Sequence, residues 1–322
     1  MRVPPFLATL FVVSAVARAG AQCSPGVDKL VTDQRYDEAR AAVQALLAAN
    51  AKDDKALHCM GAIYETQGKL GDATDWYEKA IKADEKNPQH HLSLAGAYGE
   101  QARHANRFRQ ALLARRIKSE LEQTVAIDSN LVDAHDGLMQ FYLEAPGFLG
   151  GSADKAKEQM HIIEALSPFE GHLARAKIAR QGNDLGTAEA EYKAAIDLDP
   201  DSLGVWYALG ALYENQKRWP DAAALYDRMI ARAPNNLRPH YLYGRLAALS
   251  GEDMERGERE IRYWLASAPL DAPIVTRAGA HLRLGMIFER QGKTDAARTE
   301  YQVALSINSH EAEAKRHLDA LK

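Results

Sequence analysis

The stretch that decides the fold covers residues 203–236 and reads LGVWYALGALYENQKRWPDAAALYDRMIARAPNN. Apolar and small residues recur three or four positions apart in each half of this stretch, which is the spacing of one face of a helix. They are Leu209, Gly210 and Tyr213 in the first half and Ala222, Tyr226 and Met229 in the second. Polar residues at 214–219 indicate a turn between the halves. The stretch therefore predicts two amphipathic helices that face each other as a hairpin, with the small residues allowing a close approach.

The same pattern returns without gaps at residues 54–87 and 278–311. The matching residues are Leu57, Met60, Gly61, Tyr64, Ala73, Tyr77 and Ala80 in the first copy, and His281, Leu284, Gly285, Phe288, Ala297, Tyr301 and Ala304 in the last. The pattern resembles the tetratricopeptide repeat, in which W-x2-L-G-x2-Y…A-x3-F…P describes two antiparallel helices. This resemblance implies a right-handed superhelix of stacked hairpins with an extended concave surface.

Stacking is also required by the hairpins themselves, because one hairpin cannot bury its apolar stripe alone. Weaker copies of the pattern fill the intervening segments, so we predict an all-α fold, an α-solenoid of about eight hairpins with a C-terminal capping helix. The predicted segments are 1–21 (signal peptide), 22–53 (a degenerate opening repeat), 54–87, 88–131 (with an insertion at 101–110), 132–168 (with a glycine-rich turn), 169–202, 203–236, 237–271, 278–311 and 312–322 (the cap).

The first residues indicate export. Arg2 precedes an apolar run at 6–17, and small residues follow before Gln22, which is the pattern of a secretory signal peptide over residues 1–21. The run is shorter than the roughly 20 apolar residues that cross a bilayer, so no integral membrane span is expected. A lipid anchor on Cys23 is not expected either, because Gln22 stands where lipidation needs a small residue. We therefore expect a periplasmic or secreted protein.

The chain has two cysteines, Cys23 and Cys59, which excludes a disulfide-rich scaffold and a four-cysteine zinc site. Both fall in the predicted first helices of adjacent repeats, and an exported protein meets an oxidising compartment. Two interpretations stay open at this point: a disulfide between the two cysteines, or two free thiols.

Sequence signals for catalysis, metals and nucleic acids are weak. The formal net charge of −4 provides no strong positive field for a nucleic acid. Residues 147–152 are glycine-rich but lack the lysine of a phosphate-binding loop, so we interpret them as a tight turn with Ser152 capping the next helix. The histidines show no metal-ligand spacing, and we interpret most of them as surface or packing residues. We expect no cofactor and, since the repeats occupy the chain, no enzymatic activity.

The predicted function is a non-enzymatic protein-interaction scaffold of the cell envelope, with a protein or peptide partner in the concave groove. We predict that the groove is lined by residues on the helix face that the core leaves free. These residues are Lys177, Arg180, Tyr207, Glu214, Arg238, Tyr241 and Arg245. Their cations and tyrosines suit an acidic or carboxylate-bearing segment, although an ordinary solvated helix face would carry the same residues. The alternative function is a soluble accessory subunit of an envelope transport system that binds a small molecule or a lipid.

Overall fold

The computed structural model describes residues 23–269 and 277–321. Within these ranges the regular structure is seventeen α-helices and one short 3-10 turn, without a strand. The predicted all-α fold is therefore confirmed, and a C-terminal helix is present. The predicted signal peptide at 1–21 lies outside the described residues.

The chain divides into two compact units, Met1–Glu191 and Tyr192–Lys322. The helices of the first unit are α1 (Pro25–Thr32), α2 (Tyr36–Ala49), α3 (Asp54–Thr66), α4 (Leu70–Ala83), α5 (Pro88–Arg103), α6 (Arg107–Ile127), α7 (Val132–Glu144), α8 (Ala153–Leu166) and α9 (Pro168–Gln181), with the 3-10 turn at Gly147–Leu149. Helix α10 (Leu185–Leu198) spans the division. The second unit continues with α11 (Leu203–Asn215), α12 (Trp219–Arg232), α13 (Leu237–Ser250), α14 (Met254–Ser267), α15 (Arg277–Arg290), α16 (Thr294–Ile307) and α17 (Ala312–Ala320).

Consecutive helices pair as hairpins, and neighbouring hairpins pack on one another within each unit. In the first unit α3 packs on α4, α5 on α6 and α7 on α8, while α4–α5 and α6–α7 contacts join these pairs. The second unit repeats this arrangement with α11–α12, α13–α14 and α15–α16. Each unit is thus a stretch of α-solenoid, in which every hairpin covers the apolar stripe of the next.

An apolar core runs through the hairpins of each unit. Its fully buried members in the first unit include Tyr77, Leu94, Ile117, Leu121, Phe141 and Ile163. In the second unit they include Ile261, Trp264, Leu284, Ile287 and Tyr301. Burial of each large apolar side chain contributes about 1.5–3 kcal/mol, so this core is the main source of stability.

A close contact between a glycine and a tyrosine explains the best-matching positions of the repeat. In α11 and α12, a Cβ at Gly210 would lie 2.7 Å from the hydroxyl oxygen of Tyr226, so only glycine leaves room for the tyrosine. The Tyr226 hydroxyl donates a hydrogen bond of 2.6 Å to Glu214 Oε1. The gap-free copies have the same arrangement, with Gly61, Tyr77 and Glu65 in one and Gly285, Tyr301 and Glu289 in the other. Sequence spacing alone locates the glycine, whereas the carboxylate partner becomes visible only in the structure.

A side-chain donor near the start of the first helix holds the linker that precedes several hairpins. Trp206 Nε1 donates to the carbonyl oxygen of Pro200, six residues earlier, at 3.0 Å. Histidine Nε2 meets the carbonyl oxygen six residues earlier in three other hairpins, through His91 with Glu85, His135 with Ser129 and His240 with Pro234. These histidines are buried, as expected of packing residues.

The two predicted insertions both follow the first helix of a hairpin. Residues 101–110 extend both helices of their hairpin, because α5 has 16 residues and α6 has 21 where most helices have 13 or 14. The glycine-rich turn after α7 is compact: Gly150 has φ 102°, and a Cβ on Gly151 would overlap the carbonyl oxygen of Ala145. The Ser152 side chain accepts from the backbone N–H of Lys155, which confirms it as the cap of α8.

A disulfide joins Cys23 to Cys59, whose Cα atoms lie 5.3 Å apart. Cys59 is buried inside α3, as expected, but Cys23 lies before α1 rather than within a helix. The prediction of a helical Cys23 is wrong because α1 begins only at Pro25, a residue that is favoured in the first turn of a helix. The bond ties the segment before the first hairpin to the second hairpin.

Candidate functional site

The seven residues predicted to line a groove lie in different units. Lys177 and Arg180 lie on α9 in the first unit. Tyr207 and Glu214 on α11, with Arg238, Tyr241 and Arg245 on α13, lie in the second unit.

Tyr207 and Arg238 form a contact between adjacent hairpins of the second unit. The Arg238 guanidinium carbon lies 3.9 Å from the centroid of the Tyr207 ring, at the distance of a cation–π pair. The Tyr207 hydroxyl oxygen accepts a hydrogen bond of 3.2 Å from Asn236 Nδ2. Asn236 is itself the N-cap of α13, where its side-chain oxygen accepts from the backbone N–H of Arg238. This contact places the guanidinium of the exposed Arg238 over the ring of the preceding hairpin.

Glu214 and Arg245 form an ion pair in the same unit. Arg245 Nη2 lies 2.5 Å from Glu214 Oε2, while the other oxygen of Glu214 accepts from Tyr226. Burial, together with the Glu214 carboxylate, raises the pKa of Tyr226, so its hydroxyl stays protonated and donates. Arg245 Nε is buried without a hydrogen-bond partner. Arg245 is therefore engaged within the fold rather than free for a ligand.

The Tyr241 side chain also packs against another residue of the protein. Its ring packs at 5.7 Å from that of the buried Trp264, with a tilt of 57° between the planes. Of the five residues in the second unit, Arg238 is the exposed one, whereas the other four are half-buried. Sequence reasoning missed these internal contacts because Glu214 and Arg245 are 31 residues apart in the chain.

In the first unit, Lys177 bridges to another hairpin. Its Nζ lies 2.5 Å from Asp136 Oδ1 on α7, and the side chain is 36% exposed. Arg180 is exposed in the last turn of α9.

A buried polar chain in the first unit has no counterpart among the predicted residues. It links Asp54 to His90, His90 to His58, and His58 to Ser93. The distances are 3.0 Å from Asp54 Oδ2 to His90 Nε2, 2.9 Å between the two Nδ1 atoms, and 3.4 Å from His58 Nε2 to Ser93 Oγ. The sequence shows only scattered histidines, because the partners come from α3 and α5.

The hydrogen-bond directions in this chain are consistent with two neutral rings. His90 Nε2–H donates to the Asp54 carboxylate, so His90 Nδ1 accepts from His58 Nδ1–H, and His58 Nε2 accepts from the Ser93 hydroxyl. Burial, followed by the nearby His90, lowers the pKa of His58 to about 3. Burial also lowers the pKa of His90. If both rings carried an extra proton, their two Nδ1–H groups would face each other across the 2.9 Å contact.

We predict that the hydrogen-bonded series from Asp54 to Ser93 makes the protein acid-sensitive. Between pH 6.5 and about 3, His58 binds a proton in the unfolded chain but not in the folded one. Stability is then lost as pH falls, by about 1.4 kcal/mol per pH unit from this group. The variant His58→Gln retains an amide hydrogen-bond partner for His90 and cannot titrate. Urea unfolding at pH 7 and 4.5 should show a smaller loss for this variant than for the wild type, by about 2–3 kcal/mol.

His161→Gln is the matched control, since the His161 side chain is 70% exposed and pairs with Glu164 on the same helix. This control should lose as much stability as the wild type on acidification. Equal losses of stability on acidification in the wild type and both variants would contradict the prediction that His58 is neutral in the folded protein.

No cluster of three or more histidine, cysteine, aspartate and glutamate side chains in the described ranges could hold a metal ion. No helix in the described part of the chain is long and apolar enough to cross a membrane.

Comparison with known families shows which repeat the hairpins represent. A family profile described as tetratricopeptide repeat matches residues 27–88 and 173–236, and a second profile of that description matches residues 280–308. The crystal structure of a tetratricopeptide repeat protein from Parabacteroides merdae superposes with a TM-score of 0.50 at 13% identity, over 94% of this chain and 99% of that one. This likeness supports the fold.

Curated relatives are distant and much longer. Cellulose synthase operon protein C of Xanthomonas axonopodis pv. citri (strain 306) is 28% identical over 178 residues, which are 53% of this chain and 11% of the relative. The protein of the same name from Pseudomonas fluorescens (strain SBW25) is 24% identical over 258 residues, 67% of this chain and 20% of the relative. This chain therefore spans a small part of the relatives that it matches.

Proposed function

Because the chain contains tetratricopeptide repeats, we propose that it is a non-enzymatic scaffold of the cell envelope that binds an acidic segment of a protein or peptide partner. Tetratricopeptide repeat proteins mediate protein–protein interactions, and the fold typically serves as a non-enzymatic scaffold. The observation that carries the proposal is the exposed Arg238 guanidinium, held over the Tyr207 ring.

An arginine held in this way suits a carboxylate. The guanidinium carbon lies 3.9 Å from the ring centroid, and its N–H groups make no hydrogen bond or ion pair within the described residues, so they can donate to a carboxylate. Tyr207 is fixed by Asn236, so little side-chain entropy is lost when a partner binds. Tyr241 adds aromatic contact area on the same helix as Arg238. Arg245 and Glu214 support this surface through their ion pair rather than by binding the partner directly.

The disulfide supports the envelope setting. Disulfides persist in oxidising compartments such as the periplasm and the cell exterior, and they are rare in the cytosol. The bond between Cys23 and Cys59 therefore agrees with an exported protein.

A hexaglutamate peptide tests the proposed acidic specificity. We expect the full chain to bind it, and Arg238→Ala to weaken the affinity about tenfold or more, because charge-assisted hydrogen bonds contribute about 1.5–3 kcal/mol. Isothermal titration calorimetry at low salt gives both affinities. The melting temperature should not change, since Arg238 is exposed.

Arg259→Ala is the control for a general loss of charge, because Arg259 is an exposed arginine on α14. Its affinity for the peptide should equal that of the wild type. The proposal fails if both variants weaken binding equally, or if the wild-type chain does not bind the peptide.

A further inference from the structure

A basic segment in the first unit stands out from an otherwise acidic chain. Residues 101–119 contain no aspartate or glutamate, although the formal net charge of the whole chain is −4. The cations of this segment are Arg103, Arg107, Arg109, Arg115, Arg116 and Lys118. Whole-chain charge hides this cluster, which lies at the first long insertion and along the beginning of α6.

Four of these cations make no ion pair within the described residues, and one of the four, Arg109, donates a hydrogen bond to the neutral Gln101 side chain. Arg103 pairs with Glu100 and Lys118 with Glu122, while Arg116 lies over the Tyr98 ring. Arg107 and Arg115 are exposed and make no ion pair or hydrogen bond in the part of the chain that the structure describes. Their charge is therefore available to an anionic partner.

Exposed apolar side chains accompany the unpaired arginines. Phe108 is 92% exposed and Leu112 is 54% exposed. Together with Arg115 they are spaced at four and then three residues along α6, so the three lie on one helix face. A phenylalanine at this exposure gains nothing for the fold and loses free energy in water.

The glycine-rich turn adds a second exposed phenylalanine. Phe148 lies in the 3-10 turn between α7 and α8 and is 82% exposed. The turn contacts α6, and a Cβ on Gly150 would lie 3.6 Å from Lys118 Nζ. Both insertions connect the first helix of a hairpin to the second, so in adjacent hairpins they lie on the same edge of the unit.

We infer that this edge, defined by Phe108, Leu112, Phe148, Arg107 and Arg115, docks on an anionic lipid bilayer. Phenylalanines that project almost completely into solvent do not line a groove for a peptide, but they fit the acyl boundary of a membrane surface. The two arginines complement the negative headgroups around them. The phenylalanines alone or the arginines alone would bind a membrane weakly, whereas the two together give stable binding. This edge of the first unit then lies on the membrane surface.

Sedimentation with lipid vesicles tests this inference. The full chain should bind vesicles that contain phosphatidylglycerol, bind pure phosphatidylcholine much more weakly, and dissociate at high salt. Phe108→Ser with Phe148→Ser should lower the partition coefficient about tenfold or more for each phenylalanine. Arg107→Ser with Arg115→Ser should lower it about fivefold for each arginine and reduce the salt dependence.

Matched controls remove residues of the same kind from elsewhere. Leu46→Ser, at a side chain that is 48% exposed, and Arg259→Ser should leave vesicle binding unchanged. The phenylalanine variant should also retain the wild-type affinity for hexaglutamate, which separates this inference from the proposed function. Equal binding to both kinds of vesicle, or unchanged binding by the phenylalanine variant, would overturn the inference. A chain that binds an oligonucleotide but no vesicle would overturn it as well.

Discussion

Replacing Tyr226 with alanine is expected to lower the free energy of unfolding by about 3–5 kcal/mol. The side chain is 1% exposed and fills the space above Gly210, where neighbouring atoms cannot collapse without moving two helices. The substitution also leaves one oxygen of the Glu214 carboxylate without its donor. Urea unfolding of the full chain, followed by circular dichroism, measures the loss.

A second variant and a control separate the loss of ring packing from the loss of the hydroxyl that donates to Glu214. Tyr226→Phe retains the ring and removes only the hydroxyl, so a loss of about 1–2 kcal/mol is expected. Tyr263→Ala serves as the control, because Tyr263 is 42% exposed, and it should lose less than the alanine variant at 226. If the alanine variants at 226 and 263 are equally stable, the described packing of Tyr226 on Gly210 is incorrect.

Breaking the disulfide between Cys23 and Cys59 should cost about 3–4 kcal/mol, because the bond closes a loop with a sequence separation of 36 residues. In a repeat protein this loss should be concentrated in the hairpins that the bond joins. Hydrogen exchange should therefore become faster in α1, α2 and α3 after reduction, with little change in α15 and α16.

The double variant Cys23→Ala with Cys59→Ala should reproduce the exchange pattern of the reduced wild type. Reductant should have no further effect on this variant, which distinguishes the bond from a general effect of the reagent. Two reactive thiols in the denatured, unreduced wild-type chain would show that the bond is absent.

Most of the fold could be predicted from the sequence, because helix packing depends on residues that are close in the chain. The spacing of Gly210, Tyr213, Ala222 and Tyr226 directly reports which faces of two neighbouring helices meet. Steric contact between Gly210 and Tyr226 gives that pattern its physical reason. The prediction of stacked hairpins followed from the repeated pattern alone.

The candidate site was less predictable, because its interactions depend on side chains far apart in sequence. The spacing identified an outward helix face, but it could not show that Arg245 is paired with Glu214. The chain from Asp54 to Ser93 joins two helices and depends on ring orientation. The net charge of the whole chain likewise does not reveal the basic cluster around Arg107 and Arg115, because a sum over all residues carries no information about position.

In four hairpins, a side chain at the start of the first helix bonds the carbonyl oxygen six residues earlier and so fixes the length of the linker between them. These side chains are Trp206, His91, His135 and His240. Each of these linkers has the same length, from the end of one helix to the start of the next. An added residue there would pull the carbonyl away from its donor and rotate the following helix. The opposite edge has no such constraint, and both long insertions occur there. The insertions at 101–110 and 147–152 therefore lengthen their hairpins without changing these four linkers.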